Sequence, residues 1–157
     1  MKLDYYLNML RGIRRECPGL HIKAFTAIEI VHFARVARMS VAEVLGALKE
    51  AGLGSLPGGG AEIFDDRVHD EVFKGKVRAD RWFDVHRTAH ALGIYTNATM
   101  LYGHVETVAE RVGHLIKLRE LQAESLAGMK GGTGRACLNC VIPLSFIPEG
   151  AELGHLP

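Results

Sequence analysis

Two hydrophobic periods alternate along this chain. Over residues 4–17, Leu7, Leu10 and Ile13 fall on one side at helical spacing, and Pro18 stops the run. A second helix is expected over Glu29–Met39. A third starts at Ser40, where Ser40-Val41-Ala42-Glu43 forms a capping box: serine and glutamate each satisfy a backbone amide that the first turn leaves free. Val41, Val44, Leu45 and Leu48 follow at helical spacing, and Gly52 is placed to end the helix. Arg78–Leu92 is again helical, with Trp82, Val85, Ala89 and Leu92 on one face. Thr107–Glu110 is another capping box, followed by a stripe of Val108, Val112, Leu115 and Ile116.

Between these helices lie short segments of strand character: Leu20–Thr26, Leu53–Leu56, Ile94–Leu101 and Cys140–Phe146. Strands separated by helices pair in parallel through crossovers. A doubly wound open sheet and a (β/α) barrel both fit that order. Ile94, Thr96, Ala98 and Met100 alternate with Tyr95, Asn97, Thr99 and Leu101, so one face of this strand is apolar and the other partly polar. A barrel strand can turn polar side chains into a ligand-bearing lumen while its outer face meets helices, which favours part of a (β/α) barrel of TIM type with about four parallel strands. Residues 123–136, with Gly128, Gly131, Gly132 and Gly134, show neither period and are expected to form an irregular loop or insertion.

In parallel α/β proteins ligands bind at the C-terminal ends of the strands. That rule selects Thr26 with Glu29, the run Pro57-Gly58-Gly59-Gly60-Ala61-Glu62, the run Tyr102–Glu106 and the segment Ser145–Glu149. Three successive glycines leave backbone amides uncovered, either to approach an anion or nucleotide closely or simply to turn the chain. No Gly-Lys-Ser/Thr follows them, so this is not a P-loop. Asn97 and Thr99 share a face and could hydrogen-bond a polar ligand, with His104 and Glu106 as candidates for proton transfer; the competing reading makes Glu106 a helix-capping acid. His86 and His90 have a spacing that can hold a metal, but no third ligand is evident and their neighbours argue for packing. Cys137 and Cys140 have the spacing of a metal or redox half-site with no second pair, which coincidence explains better.

Composition narrows the classes. The 157 residues are 48% hydrophobic and 24% charged, as expected for one globular domain. A net charge of +1 gives no electrostatic case for nucleic acid, and no stretch reaches the ~18 apolar residues of a membrane helix. The opening Met1–Tyr6 has no apolar signal core, and the odd count of three cysteines fits reduced thiols, so a cytoplasmic location is expected.

Five ordered segments resemble a known family. They are His21–Ile30, Ser55–Phe64, His86–His90, Thr96–Thr107, and Ile142–Phe146 with His155-Leu156-Pro157. Together they look like core motifs of the aminofutalosine synthases, radical S-adenosylmethionine (SAM) enzymes of menaquinone biosynthesis. Dehypoxanthine futalosine cyclase and the deazaflavin cofactor synthase subunit share the scaffold; Phe64 and Asn97 look more like the aminofutalosine synthases. The resemblance implies a SAM cofactor, a four-iron–four-sulfur cluster, an external electron donor and a small-molecule substrate, 3-[(1-carboxyvinyl)oxy]benzoate. It adds Ser55 to the residues expected near cofactor or substrate, with Thr26, Glu29, Pro57, Gly58, Gly59, Gly60, Glu62, Asn97, Thr99, Tyr102 and His104. The family's cluster motif, Cys-x-x-x-Cys-x-x-Cys, does not occur here. The chain is therefore expected to be the central part of the barrel, without its cluster-binding and C-terminal portions, and inactive by itself.

Overall fold

A computed structural model describes residues 2–150; the His155-Leu156-Pro157 motif lies outside them. The elements run α1 (Leu3–Glu16), α2 (Ala27–Ala37), α3 (Val41–Glu50), β1 (Ser55–Leu56), α4 (Asp66–Val72), α5 (Ala79–Ala91), β2 (Tyr95–Tyr102), α6 (Val108–Lys130) and β3 (Leu138–Ser145). The three strands form one parallel sheet in the order β1-β2-β3, with helices between them, so this is a partial α/β unit of the expected class. No helix among the described residues is long and apolar enough to cross a membrane.

Local signals place most of these elements. Ser40 Oγ accepts from the Glu43 amide at 3.2 Å while Glu43 Oε2 accepts from the Ser40 amide at 2.7 Å. The same reciprocal pair links Thr107 and Glu110. The apolar face of α5 is wholly buried at Trp82, Val85 and Ala89, joining Leu10, Ile30, Leu45, Leu48 and Leu56 in one core.

Three expectations need correction. Leu20–Thr26 is not a strand: it contributes one isolated parallel bridge, Lys23 to Ser55. The cause is Phe25, whose φ of 63° turns the chain into α2 and buries its ring against Tyr6 and Phe33. The sheet therefore has three strands rather than four. Residues 123–136 are not a single loop either, because α6 continues to Lys130. Only the stretch after it is irregular, and it is tied down: the amides of Thr133 and Gly134 bond Gly128 O, and those of Arg135 and Ala136 bond His90 O. Finally, the stripe of Val108, Val112, Leu115 and Ile116 faces outward; the buried side of α6 carries His114, Leu118, Leu121 and Ser125.

β3 is an edge among the described residues, exposed along most of its length. The Phe146 amide donates to Tyr102 O at 2.7 Å, so amides of the same parity on β3 point at β2. Pro143 has the opposite parity. Its missing N–H falls on the open side, where a proline breaks no ladder bond.

Candidate functional site

The two faces of β2 differ in kind. Thr96 turns toward the helices: its hydroxyl lies 2.8 Å from His86 Nδ1 and 2.9 Å from His90 Nε2, both on α5. Asn97 and Thr99 turn the other way, toward a face on which Lys23, Tyr95, Cys140 and Ile142 are exposed. Thr99 Oγ1 donates to Gly58 O at 3.0 Å. The amide of Asn97 has one orientation that satisfies both of its ends: Oδ1 accepts from Lys23 Nζ at 2.9 Å and Nδ2 donates to Thr96 O at 3.3 Å.

Several of the residues expected at the strand ends are occupied by the fold. Thr26 and Glu29 cap α2, with Glu29 Oε2 accepting from the Thr26 amide at 2.7 Å and from its hydroxyl at 3.0 Å. Ser55 is buried and lies 2.8 Å from His21 Nε2. Gly58 lies so close to β2 that an added Cβ would sit 2.4 Å from the Ala98 carbonyl carbon. At Gly59 it would meet the Thr26 methyl at 2.9 Å, and Gly60 has a φ of +88°. The glycine run thus has a packing reason at Gly58 and a conformational one at Gly60. Pro57 is half-buried at the base of this turn. Glu62 accepts from Lys76 Nζ at 2.9 Å, and its carbonyl accepts from the Leu101 amide. Tyr102 lies under the Arg111 guanidinium at 5.5 Å.

His104 and Glu106 do not sit open to a ligand, and the proton-transfer role expected of them gains nothing from this geometry. The Glu106 side chain is fully buried and accepts from the Gly103 amide at 2.5 Å, the His104 amide at 2.9 Å and Arg111 Nε at 2.6 Å. Burial would raise its pKa, but these donors outweigh burial and hold it at about 2. It is an ionised anchor that folds the loop onto α6 through Arg111, and it is not the helix cap of the competing reading either, because Thr107 and Glu110 cap α6. The His104 ring packs between Phe73 and Phe146, with Nε2 3.1 Å from Leu101 O. Its Nδ1 is 3.3 Å from Glu106 Oε2, outside hydrogen-bond alignment. Glu106→Gln should lower stability by about 2 kcal/mol, because a neutral amide cannot satisfy three donors. Urea titration of the variant reads this directly; an unchanged midpoint would exclude the anchor role.

Behind the sheet runs a buried hydrogen-bond chain whose direction is determined. Ser125 Oγ donates to Leu121 O at 2.8 Å, so it accepts from His90 Nδ1 at 2.7 Å. His90 Nε2 is then the acceptor for the Thr96 hydroxyl, and Thr96 in turn accepts from His86 Nδ1. Both histidines are neutral Nδ1–H tautomers. The metal reading of the pair is thereby closed, since only His86 Nε2 remains without a partner. A third histidine, His114, stacks on Phe64 at 4.3 Å and accepts from the Phe64 amide at 3.2 Å. Through Phe64, Trp82 and His86 the aromatic rings form a continuous row of contacts, stacked at both ends and tilted between Phe64 and Trp82, that seats the end of the glycine loop on α5 and α6.

The chain's cysteines do not fit an iron–sulfur cluster. Cys17 follows α1, Cys137 precedes β3 and Cys140 is on it, and among the described residues no three potential metal ligands converge.

Fold and site together define a parallel α/β segment with a polar open face beneath a glycine turn. No family model matches the chain. It is 50% identical over 151 residues to the aminodeoxyfutalosine synthase of Thermus thermophilus, covering 96% of this chain and 38% of that protein. It is 41% identical over 153 residues to the 5-amino-6-(D-ribitylamino)uracil--L-tyrosine 4-hydroxyphenyl transferase of Archaeoglobus fulgidus, covering 98% and 42%. A transferase of the same description from Methanosarcina barkeri is 40% identical over 153 residues, covering 98% and 38%. The chain is related to the aminodeoxyfutalosine synthases, as its motifs indicate, and spans about two fifths of the length of these relatives.

Lys23 is not a residue that sequence reasoning singles out. It lies inside the His21–Ile30 motif, and the alternation of His21 and Lys23 with Ile22 and Ala24 is the signal that could find it. Nothing in the sequence ties Lys23 to Asn97; that contact depends on β1 lying between them.

Proposed function

We propose that this chain is the central wall of a radical SAM enzyme of the aminodeoxyfutalosine synthase type, acting in the futalosine route to menaquinone. The observation that carries the reading is the 50% identity running through 96% of the chain. In such an enzyme the cluster and SAM supply a 5′-deoxyadenosyl radical, fed by an external electron donor, for addition to 3-[(1-carboxyvinyl)oxy]benzoate. The cluster has no fitting ligand set here, so the role assigned to these residues is to hold and orient. Asn97, Thr99 and Tyr102, with the turn Pro57–Gly60, would border the cavity shared by cofactor and substrate. Ser55, Thr26, Glu29, Glu62, His104 and Glu106 would keep that wall in shape. A cytoplasmic setting goes with this reading, as does a lack of activity in these 157 residues alone.

A chimera tests it. The aligned segment of the Thermus thermophilus synthase is replaced by this chain, and the cluster-loaded chimera is assayed for aminofutalosine. The expected result is product formed within about ten-fold of the parent rate. Tyrosine-derived product instead would favour the transferase reading, which the 41% identity also supports. A folded, cluster-loaded chimera that cleaves SAM but makes neither product would point to a non-catalytic remnant.

A further inference from the structure

The open face of the sheet carries a cation without a counter-charge. Lys23 is exposed beside β1, and its parallel neighbours on that face are Ser55 and, one strand further, Tyr95 and Asn97. None of these is acidic. Among the described residues the ion pairs involve Arg67, Lys76, Arg78, Arg111 and others on helices and loops, and none includes Lys23.

The ammonium is nevertheless held in place. It donates one hydrogen bond to Asn97 Oδ1 at 2.9 Å. Asn97 is itself buried and pinned through Nδ2 to Thr96 O, and Thr96 is fixed from behind by His86 and His90. A lysine has three donors, so two stay free on this exposed side chain. A positioned cation with free donors and no acid nearby is suited to an anion brought in from outside. Once water is excluded, leaving it unpaired would carry a large desolvation penalty.

We propose that Lys23, positioned by Asn97, is the recognition point for a carboxylate of the bound small molecule. This rests on the reading of the open face as a ligand-binding wall, and it adds the residue and the ligand chemistry. Phosphate fits less well, because the site offers one point charge and no arginine fork or uncovered run of amides at that depth.

The test uses the chain itself, with benzoate as probe and benzamide as its neutral counterpart. Heteronuclear spectra follow the Asn97 side-chain amide and the Lys23 side chain during titration. Benzoate is expected to shift both, benzamide neither. Lys23→Gln should weaken benzoate binding about ten-fold or more, the loss expected when a charged hydrogen bond goes, while Lys23→Arg retains it. An equal response to benzamide, shifts confined to other residues, or full binding by Lys23→Gln would overturn the proposal. The chimera separates this from the wider reading. If the chimera is inactive but benzoate binds at Lys23, the carboxylate site stands and the enzymatic reading falls. If the chimera is active and Lys23→Gln leaves its KM unchanged, the enzymatic reading stands and the carboxylate site falls.

Discussion

Lowering the pH from 7 to 4 should unfold this chain, through three histidines and before its key carboxylates titrate. Burial pushes the pKa of His90 down to about 4 against an opposing pull from Glu124. Burial does the same to His114, also to about 4, with Lys117 adding to it and the Thr99 backbone opposing. His86 is fully buried and is lowered well below its usual value, first by burial and then by His90. Each takes up a proton in the unfolded chain near pH 6.5 but resists it in the folded one. The unfolded state therefore binds more protons between these values. Stability is complete above about pH 6.5 and falls as the pH drops toward 4. For His90 and His114 a shift of this size amounts to about 3 kcal/mol each. Together they match a large part of the 5–15 kcal/mol that typically holds a domain folded. Glu106 and Glu110 have pKa values of about 2 in the fold, so their contribution is complete above about pH 4.5 and is lost as the pH falls from there toward 2. The two windows overlap only near pH 4, at the end of the histidine range. Unfolding free energies from urea titration at half-unit steps from pH 7.5 to 4 should fall with a slope approaching three protons, and His90→Gln should reduce that slope by about one. A midpoint flat between pH 7 and 5 would mean the histidines are not buried neutral.

Gly58→Ala should be among the most damaging single substitutions outside the hydrophobic core. The added methyl would stand 2.4–2.7 Å from the backbone C, Cα and N of Ala98 in the middle of β2. Backbone in the central strand of a sheet cannot step aside as a side-chain tip can, so β1 and β2 must separate. The expected loss is about 3 kcal/mol, at the upper end for overpacking. The hydrogen bond from Thr99 to Gly58 O would go with it. Gly59→Ala is the control. Its obstacle is the Thr26 methyl, a side-chain group that can give way at a loss of about 1 kcal/mol, the worth of the Thr26–Glu29 cap it would disturb. Thermal or urea unfolding of the two variants side by side measures the difference. Equal losses would mean that the turn is intolerant as a whole and that the approach to Ala98 has no special weight.

The parts of this protein that were legible in the sequence are those decided within a few residues. Both capping boxes formed because serine or threonine and the glutamate three residues on need only each other and the first turn. The α5 face of Trp82, Val85 and Ala89 was readable because helical spacing gathers apolar side chains wherever the helix packs. The parallel order of the sheet followed from strands separated by helices, and the ordered motifs carried the family relation.

What the sequence left undecided depended on atoms brought together from far along the chain. Leu20–Thr26 has strand-like composition, but the packing of the Phe25 ring against Tyr6 and Phe33 favours a positive φ that ends the extension. α6 runs through Gly128 because the returning chain at Thr133 and Gly134 bonds its carbonyl, a tertiary contact that outweighs weak helix propensity. Which stripe of α6 faces inward was settled by partners. His114 has Phe64 to stack on and Ser125 has His90 to bond, whereas Val108, Val112, Leu115 and Ile116 stay exposed. Glu106 reads as a base or as a helix cap from sequence; the two loop amides and the Arg111 side chain folded around it make it a loop anchor instead. Lys23 and Asn97 are 74 positions apart, and only the strand between them makes them neighbours. Local propensity acts over one helical turn or one strand step, while the character of a binding wall is set by which side chains the sheet register brings to the same face.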